Sequence, residues 1–137
     1  MNKTIINKVC EVNELEFTST ISNFMINNKP YIVEIEGNEI QSWYDYILKI
    51  QESFKLPSSC IDSVDRYLDW MRDLSWLDAQ GYVLVIRNFK SFLQKELILK
   101  KQIVEDFTDI ILPFWQEEVE KVVVGGMAKD FKVYLIS

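Results

Sequence analysis

The chain of 137 residues has no histidine. Without an imidazole there is no Ser-His-Asp or Cys-His couple, and no His-ligated zinc or iron site. Cysteine is almost as scarce. Cys10 and Cys60 stand alone, without CxxC spacing, and are too few for a four-cysteine metal site. Both read as free thiols of a reducing compartment. No metal and no cofactor is expected. Cations are in the minority, 15 Lys and Arg against 21 Asp and Glu, for a net charge of −6. That balance excludes a nucleic-acid binder, which needs Lys and Arg against phosphates, and favours a basic partner. No run of 18 apolar residues exists, so no membrane-spanning helix is expected. The start, Met1 to Lys8, has too short an apolar core for a signal peptide, which points to the cytoplasm.

With three prolines and four glycines there is no flexible linker, and no repeat or low-complexity run interrupts the chain. An apolar content of 48% excludes a disordered chain. A single domain over 1–137 follows from the length. The few breakers therefore punctuate secondary structure. Leu15-Glu16-Phe17-Thr18-Ser19-Thr20-Ile21 alternates as an edge strand does, and Phe24-Met25-Ile26 reads as a second short strand before the Asn27-Asn28-Lys29-Pro30 turn. Tyr31 to Glu36 is a strand stopped by Gly37-Asn38. Ile40, Trp43, Tyr44, Ile47, Ile50 and Phe54 then recur at helical spacing, with Ser42 and Asp45 placed as an N-terminal cap. A second helix opens at Ser58 or Ser59 and runs to about Leu74.

Gly81 to Ile86 is an almost wholly apolar strand, as expected where both faces of a sheet are covered. Asn88 to Lys95 reads as a short helix. Gln102 to Val123 reads as a longer one, kinked or broken by Pro113 and stopped by Gly125-Gly126. Phe131 to Ile136 is the last strand. Strands separated by helices predict an α/β protein with a parallel sheet.

The second helix carries the chemistry. At about 100° per residue, Asp62, Asp65, Asp69 and Asp73 fall within a strip about 80° wide. Val64, Tyr67, Leu68, Met71 and Leu74 gather opposite, for burial on the sheet. Aspartate is a poor helix former, and like charges four residues apart repel. Its short side chain, however, holds a carboxylate close to the backbone with little freedom to lose on binding. A partner surface and a merely solvated face both fit this pattern; Arg66 can pair with Asp62 and Arg72 with Asp69. Paired carboxylates can also act as acid and base or hold magnesium, but a convex helix face desolvates them little, so no enzyme is expected. Trp70 lies beside the strip, as an aromatic anchor or as packing. Ser63 lies next to it as a further candidate contact. Trp43 and Trp76 read as packing.

Several segments taken together resemble the barstar family, the intracellular inhibitors of barnase-type ribonucleases. They are Ile35-Glu36-Gly37-Asn38-Glu39-Ile40, Phe54-Lys55-Leu56-Pro57, the aspartates Asp65 and Asp69 four apart, Val83-Leu84-Val85-Ile86-Arg87-Asn88-Phe89, and Val133-Tyr134-Leu135-Ile136-Ser137. The likeness covers residues 30–137, with extra residues in the last helical region; 1–29 form an extension without counterpart. It implies a three-stranded parallel sheet packed with about four helices, to which the extension adds short strands. It also implies an immunity protein of a toxin–antitoxin pair, a monomer by default. The acidic helix and the loop before it would fill the active site of a secreted ribonuclease, with carboxylates in place of substrate phosphates. Asp69 is the first contact on this reading, Asp65 the second, and Asp73, Asp62, Ser63 and Trp70 extend the surface. Glu117 or Glu118 is the counterpart of a glutamate that the family uses on its last helix. The family's Tyr-Gly-x-Asn run reads Cys60-Ile61-Asp62-Ser63 here, and its tryptophan before the second aspartate is Leu68. Those departures support an alternative in which the same frame binds a non-nuclease toxin or a regulatory protein.

Overall fold

The computed structural model describes residues 5–137, the side chain of Ile26 apart. Met1 to Thr4, part of the segment weighed as a signal peptide, lie outside the described residues. The elements are β1 (Val9–Val12), α1 (Glu14–Asn28), β2 (Tyr31–Glu36), α2 (Trp43–Ser53), α3 (Val64–Met71), β3 (Gly81–Arg87), α4 (Leu97–Asp106), α5 (Val119–Val122) and β4 (Asp130–Ile136). The four strands form one parallel sheet in the order β1-β4-β3-β2.

The connections explain the layering. From β2 through β3 to β4 the chain crosses the sheet steadily in one direction. Its intervening helices lie on one face, where Tyr82, Leu84, Ile86, Phe131, Val133 and Leu135 pack with Ile47, Ile50, Tyr67, Met71 and Phe107. The step from β1 to β2 runs the opposite way, from one edge to the other. A right-handed crossover in that direction must pass over the other face. Helix α1 does so, burying Phe17 and Ile21 against Val83, Val85, Tyr134 and Ile136. Phe17 meets Tyr134 edge-on at 5.3 Å, and Arg87 holds Glu14 at 2.7 Å. The almost wholly apolar run Gly81 to Ile86 of β3 is thus covered on both sides, as its composition predicts.

The two strands expected at Leu15–Ile21 and Phe24–Ile26 are instead the single helix α1. Asn13 and Glu16 form a reciprocal capping box at its start. Thr18 and Ser22 turn their hydroxyls back onto the carbonyls of Glu14 and Thr18, which lets these poor helix formers sit within a helix. The extension supplies one extra strand, but at Val9–Val12, so the sheet has four strands where three plus the extension were anticipated.

Residues 88–95 form consecutive turns rather than a helix, because Asn88 and Leu93 adopt left-handed backbone conformations, each at φ 49°. Leu93 N–H then reaches the carbonyl of Ile40 at 2.9 Å. Pro113 does not break the last helix. Wider π turns at Phe107–Ile111 and Phe114–Glu118 flank it, and the chain continues helically from α4 into α5. Proline lacks the N–H that a regular helix would use, and the looser π turns accommodate the altered ladder.

Candidate partner-binding site

Helix α3 is shorter than its periodicity suggests. Ser63 is the N-cap, its hydroxyl accepting from Arg66 N–H at 3.1 Å. The Ser58/Ser59 start is therefore displaced to Val64. Leu74 enters the left-handed region at φ 54°, which precludes extension to that residue. Asp65 and Asp69 are on the helix; Asp62 lies in the turn before it and Asp73 in the turn after it. All four carboxylate residues are exposed. On the opposite side Tyr67, Met71 and Leu74 are fully buried, while Val64, assigned to the same apolar arc, remains 47% exposed on the first turn.

Buried contacts hold this acidic surface in place. The Tyr67 hydroxyl meets that of Tyr46 on α2 at 2.6 Å. Trp115 N–H donates to the carbonyl of Met71 at 2.9 Å, pinning the end of α3 to the last helix. The loop before α3 is tied as well. Cys60 N–H donates to Gln51 Oε1 at 3.0 Å, Trp43 N–H to the carbonyl of Ile61 at 2.8 Å, and Trp70 N–H to Ser58 Oγ at 2.9 Å. Arg66 donates to the carbonyl of Ser59 at 2.8 Å. A surface so anchored loses little freedom when a partner closes over it.

Both expected ion pairs form, Arg66 with Asp62 at 3.5 Å and Arg72 with Asp69 at 3.1 Å. They are exposed, with Asp69 side chain 75% accessible, so each is weak and readily exchanged for a partner's cation. Asp73 accepts from Ser75 N–H at 3.2 Å and so shapes the turn that follows. Trp70 is half-buried, edge-on to Trp76 at 5.5 Å, with its N–H engaged by the loop. Trp70 is thus held between the loop and Trp76, with part of its ring still accessible beside the aspartates. Trp43 and Trp76 are also half-buried. Ser63 is committed to the cap, and Glu117 and Glu118 stand exposed on the π turn before α5.

Cys60 is buried and Cys10 partly so, both as free thiols. Burial pushes the Cys60 thiol up and Asp62 adds to the effect, outweighing nearby Arg66. That is the opposite of an activated nucleophile. Among the described residues no three Cys, Asp or Glu side chains gather closely enough to hold a metal ion, and no helix is long and apolar enough to cross a membrane.

The sequence signal for this candidate surface is the aspartate spacing, on residues whose opposite helix face is apolar. What the spacing lacked was the loop. Gln51 and Trp43, both on α2, position residues 58–63 through contacts 9 and 18 residues away in sequence. No curated protein and no solved structure matches the chain. A family model described as Barstar (barnase inhibitor) matches residues 31–125, from β2 through the last helix and over more than half of the molecule. The chain belongs to the barstar family.

Proposed function

We propose that this protein is a barstar-type inhibitor or immunity protein. It blocks a basic ribonuclease-type toxin by seating the exposed face of α3 in the active site, with Asp65 and Asp69 standing in for substrate phosphates. The observation that carries this reading is the pairing of two outward carboxylates with the fully buried side chains of Tyr67 and Met71 on the opposite side of one helix. The family is one of inhibitors rather than enzymes. An acidic protein of net charge −6 is drawn to a basic cleft at long range. As the interface dries, the carboxylates gain strength against Arg and Lys only where those cations hydrogen-bond them in return. Asp69 is the central contact and Asp65 its neighbour about one helical turn away. Asp62, Ser63, Asp73 and Trp70 form the surround. The protein acts as a monomeric single domain in the cytoplasm, against a toxin made for export.

The test is inhibition of a panel of barnase-type ribonucleases, barnase first, by wild type and by Asp65→Ala/Asp69→Ala. Wild type is expected to inhibit at least one enzyme, with potency falling about 100-fold or more in the variant and declining as salt rises. Equal inhibition by both proteins would remove the phosphate-mimic mechanism.

A second reading is supported by the loop. Cys60-Ile61-Asp62-Ser63 replaces the family's Tyr-Gly-x-Asn run, Cys60 is buried, and Ser63 is used as a cap. A loop with different groups fits a different partner, a non-nuclease toxin or a regulatory protein. Failure to inhibit any ribonuclease of the panel would favour it.

A further inference from the structure

The acidic surface contains a cation in the helical turn that favours one least. Arg66 lies in the first turn of α3, between Asp65 and Asp69 in sequence. A positive charge there opposes the helix dipole. It also weakens the negative field that would draw a basic partner. Solvation alone calls for no such residue, but its contacts give it a use. One guanidinium nitrogen, Nη1, donates to the carbonyl of Ser59 at 2.8 Å and lies 3.5 Å from Asp62 Oδ1. Arg66 thus bridges both ends of the 59–62 turn that leads into the helix.

The same turn is held from α2 by a neutral group. Gln51 Oε1 accepts from Cys60 N–H at 3.0 Å, and the Cys60 side chain is buried beneath. Inside the turn, Ser63 N–H donates to the carbonyl of Cys60 at 3.2 Å and Ile61 N–H to Ser59 Oγ at 3.4 Å. Ser59, Ile61 and Asp62 stay exposed around this fixed backbone. We propose that Arg66 and Gln51 are positioning residues for partner binding, which hold the 59–62 turn in the shape it keeps in the complex. The inference rests on the proposed function and adds a division of roles within that site. The aspartates attract the partner and engage it. Arg66 sacrifices part of that attraction for a turn that needs no ordering when the complex forms. Order present before encounter shows as slower release. Gln51 acts in the same way without a charge, so it leaves encounter unaltered.

The experiment measures association and dissociation rates of the full chain with the ribonuclease of the same panel that wild type inhibits, at low and high salt. The variants are Arg66→Met, Gln51→Met and Gln51→Glu, and thermal melting checks that each is folded. Arg66→Met is expected to associate about twofold faster at low salt, an advantage that high salt removes, yet to dissociate about tenfold faster. Gln51→Met should associate as wild type does and also dissociate about tenfold faster. Gln51→Glu keeps an acceptor oxygen for Cys60 N–H and should restore slow dissociation. Unchanged dissociation of either methionine variant, with Asp65→Ala/Asp69→Ala still impaired, would overturn the inference and leave the proposed function standing. Slower association of Arg66→Met would make Arg66 a direct contact for an acidic group of the partner and overturn it as well. No inhibition by wild type across the panel would overturn the proposed function and this inference together.

Discussion

The hydroxyls of Tyr46 and Tyr67 lie 2.6 Å apart, both side chains fully buried, and join α2 to the helix that carries Asp65 and Asp69. The rings themselves meet edge-on at 5.8 Å. A hydrogen bond in the core thus sets where an acidic surface stands on the outside.

Removing one partner should cost more than removing both. Tyr67→Phe leaves the Tyr46 hydroxyl buried and unpaired, a loss of about 1–3 kcal/mol. Tyr46→Phe/Tyr67→Phe should be less destabilising than the two single changes added together. Urea unfolding of the four proteins completes the cycle. Strict additivity would show that the bond does not couple the helices.

The buried phenols also predict alkaline instability. Burial, first among the causes, raises Tyr46, Tyr67 and Tyr82; Tyr82 is pushed up to about 12. In the unfolded chain they ionise near about 10. The native state therefore keeps protons that the unfolded state gives up. Stability is full below about pH 10 and falls as pH rises from there toward and past the folded values. Tyr82 hydroxyl has no hydrogen-bond partner. Tyr82→Phe should therefore stabilise by about 1 kcal/mol near neutrality and make the alkaline decline shallower. Urea midpoints from pH 8 to 11 measure both effects, and a flat wild-type profile would contradict the assignment.

Helix α1 is expected to be integral to stability. Phe17→Ala withdraws a buried ring from Val83, Val85 and Tyr134 and should cost about 3–5 kcal/mol. Thermal or denaturant unfolding reads the change. An unaffected midpoint would mean that this face of the sheet does not depend on the extension.

Gly37 marks a place where two stretches of backbone come together. A Cβ there would lie 2.3 Å from the carbonyl oxygen of Asn88 and 2.6 Å from that of Arg87. Neither backbone oxygen can rotate away. Gly37→Ala should destabilise by about 2 kcal/mol or more and disturb the ends of β2 and β3. Loss of amide protection at Glu36 and Arg87 in hydrogen exchange would locate the damage; wild-type stability would show that the strands can separate at no cost.

Local chemistry was most legible where one element sufficed. Ser42 caps α2 through Asp45 N–H at 3.1 Å, as the pattern of the two residues indicates. The apolar β3 declared a sheet covered on both faces. The N-terminal segment misled because Phe17, Thr18, Ile21 and their neighbours alternate well enough for a strand. Asn13 and Glu16 were the available counter-signal, a capping box three residues apart, and Phe17 and Ile21 are one helical turn apart on the buried side.

Periodicity was readable along the chain: three core strands, an acidic helix with an apolar back, and residue types that resemble the barstar family. These properties are carried by neighbours within a few positions, where side-chain direction follows from backbone repeat. Long-range packing is what makes α1 cross the second face, bonds Trp70 to Ser58 and sets it against Trp76, and brings Asp73 into a groove with Val123 and Met127. Those relationships join residues from 6 to about 120 positions apart. They arise from crossover handedness and from which buried donors find which carbonyls, and neither has a local pattern to read.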